Sequence, residues 1–121
     1  MVGTPGDDTI TIAEGADAST AIITRNGDPL GTFSGVKKVD VHAGDGDDHV
    51  SLTNGFAKAA TLVGGDGDDT LTGGNGKNVL LGGAGDDVLS GRGNRDLIVG
   101  GTGMDTLSGR GNEDLLIGGG R

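Results

Sequence analysis

Aspartate recurs at a fixed interval through the second half of this chain. Asp69, Asp87 and Asp105 lie 18 residues apart, and Asp96 and Asp114 form a second series offset by nine. Each closes a glycine-bearing hexapeptide, such as GGDGDD at 64–69, GGAGDD at 82–87 and GGTGMD at 100–105. If 18 residues make one turn of a coil, equivalent carboxylates stack about 4.8 Å apart. At that separation they repel by roughly 3 kcal/mol at an effective dielectric of 20. A divalent cation between each pair reverses the sign. Calcium suits the donors best, because it takes 6–8 oxygens in flexible geometry and glycine loops expose backbone carbonyls beside the carboxylates. Magnesium demands tighter octahedral geometry, and the chain has no cysteine for zinc.

The elements that would position these aspartates are written in the same register. From residue 64 the chain divides into GGDGDDTLT, GGNGKNVLL, GGAGDDVLS, GRGNRDLIV, GGTGMDTLS and GRGNEDLLI. Position 1 is Gly, position 6 is Asp or Asn, and position 8 is Leu71, Leu80, Leu89, Ile98, Leu107 or Leu116. A second period alternates Thr/Val-Leu-Thr/Ser tails with the apolar triplets VLL, LIV and LLI, so the structural unit is 18 residues with two unlike halves. Apolar triplets between turn-formers, with no 3.6-residue period, predict short strands. Position 8 should point inward and positions 7 and 9 outward. Glycine at positions 1, 2 and 4 suits tight bends, with Asn94 and Asn112 as left-handed substitutes at position 4. The expected fold is all-β, a right-handed parallel β-roll or β-solenoid with a less regular N-terminal β region.

Composition agrees with repetition rather than an ordinary globule. Twenty-eight glycines and two aromatics in 121 residues leave too few large apolar side chains for a conventional core. Alone this composition suggests disorder, but stacked repeats can share a thin core. A net charge of −9 disfavours nucleic acid and favours cations. The repeat extends upstream as AGDGDDHVS at 43–51, a three-residue insertion at 52–54, a degenerate unit at 55–63, and GTPGDDTIT at 3–11 with Asp8 and Ile10 in the key places. Between them, STAIITRNGDPLGTFSGVKKVDVH reads as strands joined by a turn at Asn26-Gly27. One domain over 1–121 is expected: irregular turns or a cap at 1–42, degenerate repeats at 43–63, regular repeats at 64–117, in six to seven turns. The chain reads as a piece of a larger protein.

These units resemble the RTX (hemolysin-type) calcium-binding nonapeptide GGxGxDxUx. The resemblance is continuous over 64–117 and clear at 43–51, and it includes 3–11. It implies a parallel β-roll with calcium between stacked loops, held by position 6 aspartates and loop carbonyls. Carried over, the ions lie between Asp48 and Asp69, Asp69 and Asp87, Asp87 and Asp105, and Asp96 and Asp114. Carbonyls near Gly65, Gly67, Gly83, Gly85, Gly101 and Gly103 join them, and Asp8 is a further candidate. About three to five ions are expected. The departures fall on the second series: Asn78 replaces Asp, Lys77 and Arg95 hold position 5, and Arg92 and Arg110 replace the second Gly. A site between Asn78 and Asp96 should be weak or empty, with the Asp69/Asp87/Asp105 series filled first. Asp66 and Asp68, at variable positions, read as solvated charge.

The resemblance also implies secretion or a cell-surface location, with folding on calcium outside the cell. No apolar run suits a membrane span or a signal peptide. His42 and His49 lack further clustered ligands and read as surface residues. GGNGK at 73–77 lacks the Ser or Thr and the helix of a phosphate-binding loop; an EF-hand would need flanking helices. No nucleophile–base pair marks an enzyme. The reading is a calcium-binding structural module, the alternative an adhesion or ligand surface using Thr70, Thr72, Ser90, Thr106 and Ser108. Val79, Leu81, Leu97, Val99, Leu115 and Ile117 should form an outer apolar face that packs on a neighbouring domain or a second copy.

Overall fold

The computed structural model describes residues 3–15, 19–53, 56–110 and 114–118. Its chain enters through β1 (Thr9–Glu14), turns back in a hairpin of β2 (Ala21–Arg25) and β3 (Asp28–Phe33), and then winds. The winding strands are β4 (Lys38–His42), β5 (His49–Leu52), β6 (Ala59–Asp66), β7 (Thr70–Thr72), β8 (Asn78–Ala84), β9 (Val88–Ser90), β10 (Leu97–Gly101), β11 (Thr106–Ser108) and β12 (Leu115–Ile117). They alternate between two sheets. One has the order β12-β10-β8-β6-β4, and the other β11-β9-β7-β5-β1-β2-β3. Every pairing between winding strands is parallel, and so is β1 with β5. Two nonapeptides therefore make one turn of a β-roll. From β4 to β12 the five-stranded sheet counts about four turns, fewer than six to seven, because the hairpin takes β2 and β3 out of the winding.

Why the strands are so short follows from the repeat. Each triplet can bury only its middle residue, and the flanking glycines bend the chain toward the opposite sheet. Leu71 pairs with Val50 and Leu89, and Leu80 with Leu62 and Ile98, so each sheet contributes one inward column. All six are fully buried. Toward the N-terminal end the core widens, where Ile12, Val41, Leu52 and Phe56 are also buried. Thr61, Val63, Val79, Leu81, Leu97 and Val99 face outward and are half-buried, while Leu115 and Ile117 at the far end are exposed.

The hairpin forms where Asn26-Gly27 predicts it. Both residues have positive φ, 53° and 84°, as a two-residue turn that follows the strand twist requires. It adds antiparallel strands to the start of the seven-stranded sheet. Pro29 fits because β3 is the edge strand, where a missing N–H breaks no ladder.

Burying one leucine contributes about 1.5–3 kcal/mol. Truncating Leu80 to Ala leaves a cavity between two adjoining turns, and an equilibrium denaturant titration should show a loss of about 2–5 kcal/mol. The same change at exposed Leu116 should cost well under 1 kcal/mol.

Candidate metal centres

The two edges of the roll are built from unlike loops. Along the first edge the chain passes from the five-stranded to the seven-stranded sheet through loops 43–48, 64–69, 82–87 and 100–105, with 3–8 stacked before them. These loops contain no Lys or Arg. The four winding loops share one conformation. Gly65, Gly83 and Gly101 at position 2 have φ of 101°, 101° and 94°, and position 4 repeats the left-handed turn. A side chain at Gly83 would also strike the Gly65 carbonyl oxygen below it. Position 2 and 4 carbonyls thus run in rows along the stack.

Position 6 supplies the buried column. Asp8, Asp48, Asp69 and Asp87 are at most 2% exposed, and Asp105 is half-buried. Each carboxylate reaches back one turn. The backbone N–H of Asp8 donates to Asp48 Oδ1 at 2.7 Å, that of Asp48 to Asp69 at 2.8 Å, that of Asp69 to Asp87 at 2.8 Å and that of Asp87 to Asp105 at 2.9 Å. The second oxygen, Oδ2, is buried on Asp48, Asp69, Asp87 and Asp105 and has no hydrogen-bond partner. On Asp69, Asp87 and Asp105 it lies against the position 1 glycine of its own loop. A side chain at Gly64 would meet Asp69 Oδ2 and, at 2.8 Å, the Gly82 carbonyl oxygen. Glycine at position 1 of loops 64–69, 82–87 and 100–105 is therefore a requirement for space, while Ala43 holds that position in loop 43–48.

Asp8 ends this column differently. Its carboxylate accepts from the Thr4 N–H at 2.6 Å, the Thr4 hydroxyl at 2.7 Å and Asn26 Nδ2 at 2.9 Å. Asn26 Oδ1 accepts the Thr9 N–H at 2.7 Å, so the hairpin turn closes the stack. That cap has no local sequence signal, because Asn26 already suits its turn.

Position 5 carries a second ladder that composition hides. Asp7, Asp47, Asp68 and Asp86 are exposed, yet each reaches forward one turn and accepts the N–H of Asp47, Asp68, Asp86 and Met104, all at 2.8 Å. The expectation of solvated charge is thereby corrected for Asp68, which bonds Asp86 because any residue's backbone N–H is an adequate donor. Asp66 is exposed, as expected.

On the second edge, loops 73–78, 91–96 and 109–114 return the chain to the five-stranded sheet. Asn78 and Asp96 are buried, and the Oδ1 atoms of Asp96 and Asp114 accept the N–H of Asn78 and Asp96 at 2.8 Å. Asp96 Oδ2 is a further partnerless buried oxygen. Asn94 does not take the left-handed conformation expected of it. Positive φ falls one and two residues earlier, at Arg92 (66°) and Gly93 (65°), and Asn94 Nδ2 donates to the Asn75 carbonyl at 2.7 Å. Asn112 lies outside the described residues. Arg110 again has a positive φ of 59°. His42 and His49 are exposed on different sheets.

The donor set suits a hard cation. Among the described residues no three His, Cys, Asp or Glu side chains converge, so an ion between loops must take carbonyl oxygens as well as carboxylates. Calcium accepts that mixture. Without a cation the column is strained: burial, opposed by the Asp48 N–H and reinforced by the Asp48 and Asp87 charges, pushes Asp69 up to about 7. Burial with the Asp105 and Asp68 charges pushes Asp87 up to about 6, and burial with the Asp114 charge does the same for Asp96. Asp48 is raised, chiefly by burial. At Asp8 burial also acts upward, but the Thr4 and Asn26 hydrogen bonds and the Arg25 charge hold it below the usual range.

These shifts fix a sign. The folded metal-free chain holds protons more tightly than the unfolded chain at Asp48, Asp69, Asp87 and Asp96, so its stability falls as pH rises from about 4 to about 7. Metal-stripped protein followed by circular dichroism should hold more β structure at pH 5 than at pH 7.5. Saturating calcium should flatten or reverse that order.

The comparison with known families meets this geometry. The model of the RTX calcium-binding nonapeptide repeat (4 copies) matches residues 54–89 and 90–120, more than half of the chain. No curated protein and no solved structure matches it. The matched segments contain the loops of both edges from 64 onward, with their position 1 glycines and position 6 aspartates. The chain belongs to the RTX calcium-binding nonapeptide repeat family.

Proposed function

We propose that this chain is a structural module whose first edge binds calcium and whose folding is completed by that binding outside the cell. The observation that carries the reading is the row of buried, partnerless Oδ2 atoms on Asp48, Asp69, Asp87 and Asp105. An unpaired buried carboxylate oxygen is costly unless it meets a cation. The ions lie between Asp48 and Asp69, Asp69 and Asp87, and Asp87 and Asp105, with carbonyls near Gly65, Gly67, Gly83, Gly85, Gly101 and Gly103. A weaker site joins Asp96 and Asp114. Asp8, whose oxygens already accept from Thr4 and Asn26, closes the column.

Binding free energy becomes folding free energy, because the unfolded chain has no preformed site. Low cytosolic calcium keeps such a chain open, and higher calcium outside the cell closes it. The module is non-catalytic; its outer apolar face, including Val79, Leu81, Leu97 and Val99, packs on a neighbouring domain. Among the described residues no helix is long and apolar enough to cross a membrane.

Far-UV circular dichroism tests the coupling. Metal-stripped protein at pH 7.5 should give a largely disordered spectrum that becomes β on adding calcium and not on adding magnesium. A β spectrum unchanged by stripping would refute the coupling. Asp87→Asn, which removes one carboxylate from two adjoining sites, should raise the calcium midpoint about tenfold, since ligand charge sets affinity in such sites.

A further inference from the structure

One level of the roll is closed by an amide. Asn78 is 1% exposed, and its Nδ2 donates to three carbonyl oxygens: Gly74 at 3.1 Å, Gly76 at 3.0 Å and Gly91 at 3.2 Å. Gly74 and Gly76 occupy positions 2 and 4 of its own loop, and Gly91 is position 1 of the loop stacked next. A carboxylate here would turn an oxygen toward three oxygens and need a cation among them. The amide turns partially positive N–H groups toward them instead. The opposite amide orientation would set Oδ1 against all three carbonyls, so the bonding fixes which atom faces the loop.

The backbone gives an independent observation. In the first-edge loops the glycines at positions 2 and 4 have φ between 94° and 111°. Gly74 and Gly76 are both absent from the positive-φ residues, so loop 73–78 has a different conformation, with its carbonyls gathered around the amide. Ala60, one turn earlier, has no side-chain oxygen to continue the column, and its N–H donates to the Lys77 carbonyl at 3.1 Å, which leaves Asn78 Oδ1 buried without a partner on that side. The column on this edge therefore starts at Asn78.

We propose that Asn78 Nδ2 takes the place of a cation between loops 73–78 and 91–96, so that this level of the roll closes without calcium. The inference rests on the family's calcium chemistry and assigns one level of the stack to a different one. It makes the roll's metal dependence unequal. The second edge is locked by an internal donor at its first level, while the first edge carries its open oxygens through every level from Asp48 to Asp105.

The test compares the full-length chain with Asn78→Asp. Calorimetric titration should give one more calcium ion per chain for the variant than for the parent. Hydrogen exchange followed along a calcium titration should show the amides of 78–81 and 96–99 gaining protection at a higher calcium concentration in the variant than in the parent. Equal stoichiometry in the two proteins overturns the proposal, whichever number they share. So does an Asn78→Asp chain that gives no β spectrum at saturating calcium, since an ion then cannot replace the amide. Asn78→Ala, which supplies neither donor nor ligand, should lose exchange protection at this level even in saturating calcium; unchanged protection would also overturn it. A parent chain that binds no calcium would refute the module's proposed function, whereas this proposal is decided by the differences between parent and variants.

Discussion

A carboxylate buried at every turn, with one oxygen bonded to backbone and the other bonded to nothing, is the constraint on which the roll depends. The bonded oxygen ties each loop to the one before it, from Asp105 back to Asp8. In loops 64–69, 82–87 and 100–105 the free oxygen occupies the space of a side chain at position 1, where glycine stands. Neighbouring carboxylates oppose one another by roughly 3 kcal/mol per pair at an effective dielectric of 20. A buried leucine contributes about 1.5–3 kcal/mol. From β7 onward, with one inward apolar residue per strand, the core and the column are therefore closely matched.

Adjacent aspartates on the first edge reach in opposite directions. Asp69 accepts from the turn before it, whereas Asp68 accepts from the turn after it. Loops 43–48, 64–69 and 82–87 are each tied to both neighbours by consecutive aspartates. Among the described residues the second edge has no counterpart to this double ladder. Lys77 and Arg95 stand at position 5 there, and Arg92 and Arg110 adopt left-handed φ where the first edge has glycine. Most of the chain's carboxylates thus stand in the first-edge loops, and Lys58, Lys77, Arg92, Arg95 and Arg110 all belong to the other edge.

The sequence made much of this legible, for a physical reason. Leu71, Leu80 and Leu89 repeat because each inward position has the same two neighbours, and the aspartates recur because each loop needs the same donor. Asn26-Gly27 was readable because a hairpin turn constrains two adjacent residues. What could not be read involves backbone partners or distant loops. Asp68 accepts the N–H of Asp86, and Asp86 accepts that of Met104 just as well, so no pairing of side chains records the ladder. Asn26 reaches Asp8 only because the hairpin folds onto β1. The different conformations of loops 73–78 and 91–96 arise from which carbonyls the Asn78 and Asn94 amides gather, and a shared nonapeptide register conceals that choice.

The step between successive strands is not constant. Val50 and Leu71 pair across 21 residues, whereas Leu71 and Leu89 pair across 18. The additional residues follow Leu52 and enter the second edge, and the inward column continues past them without a shift. A chain that grows by copying its repeats can therefore absorb changes of length along one margin only. The acidic margin must copy its spacing faithfully, while the other is free to lengthen and diversify.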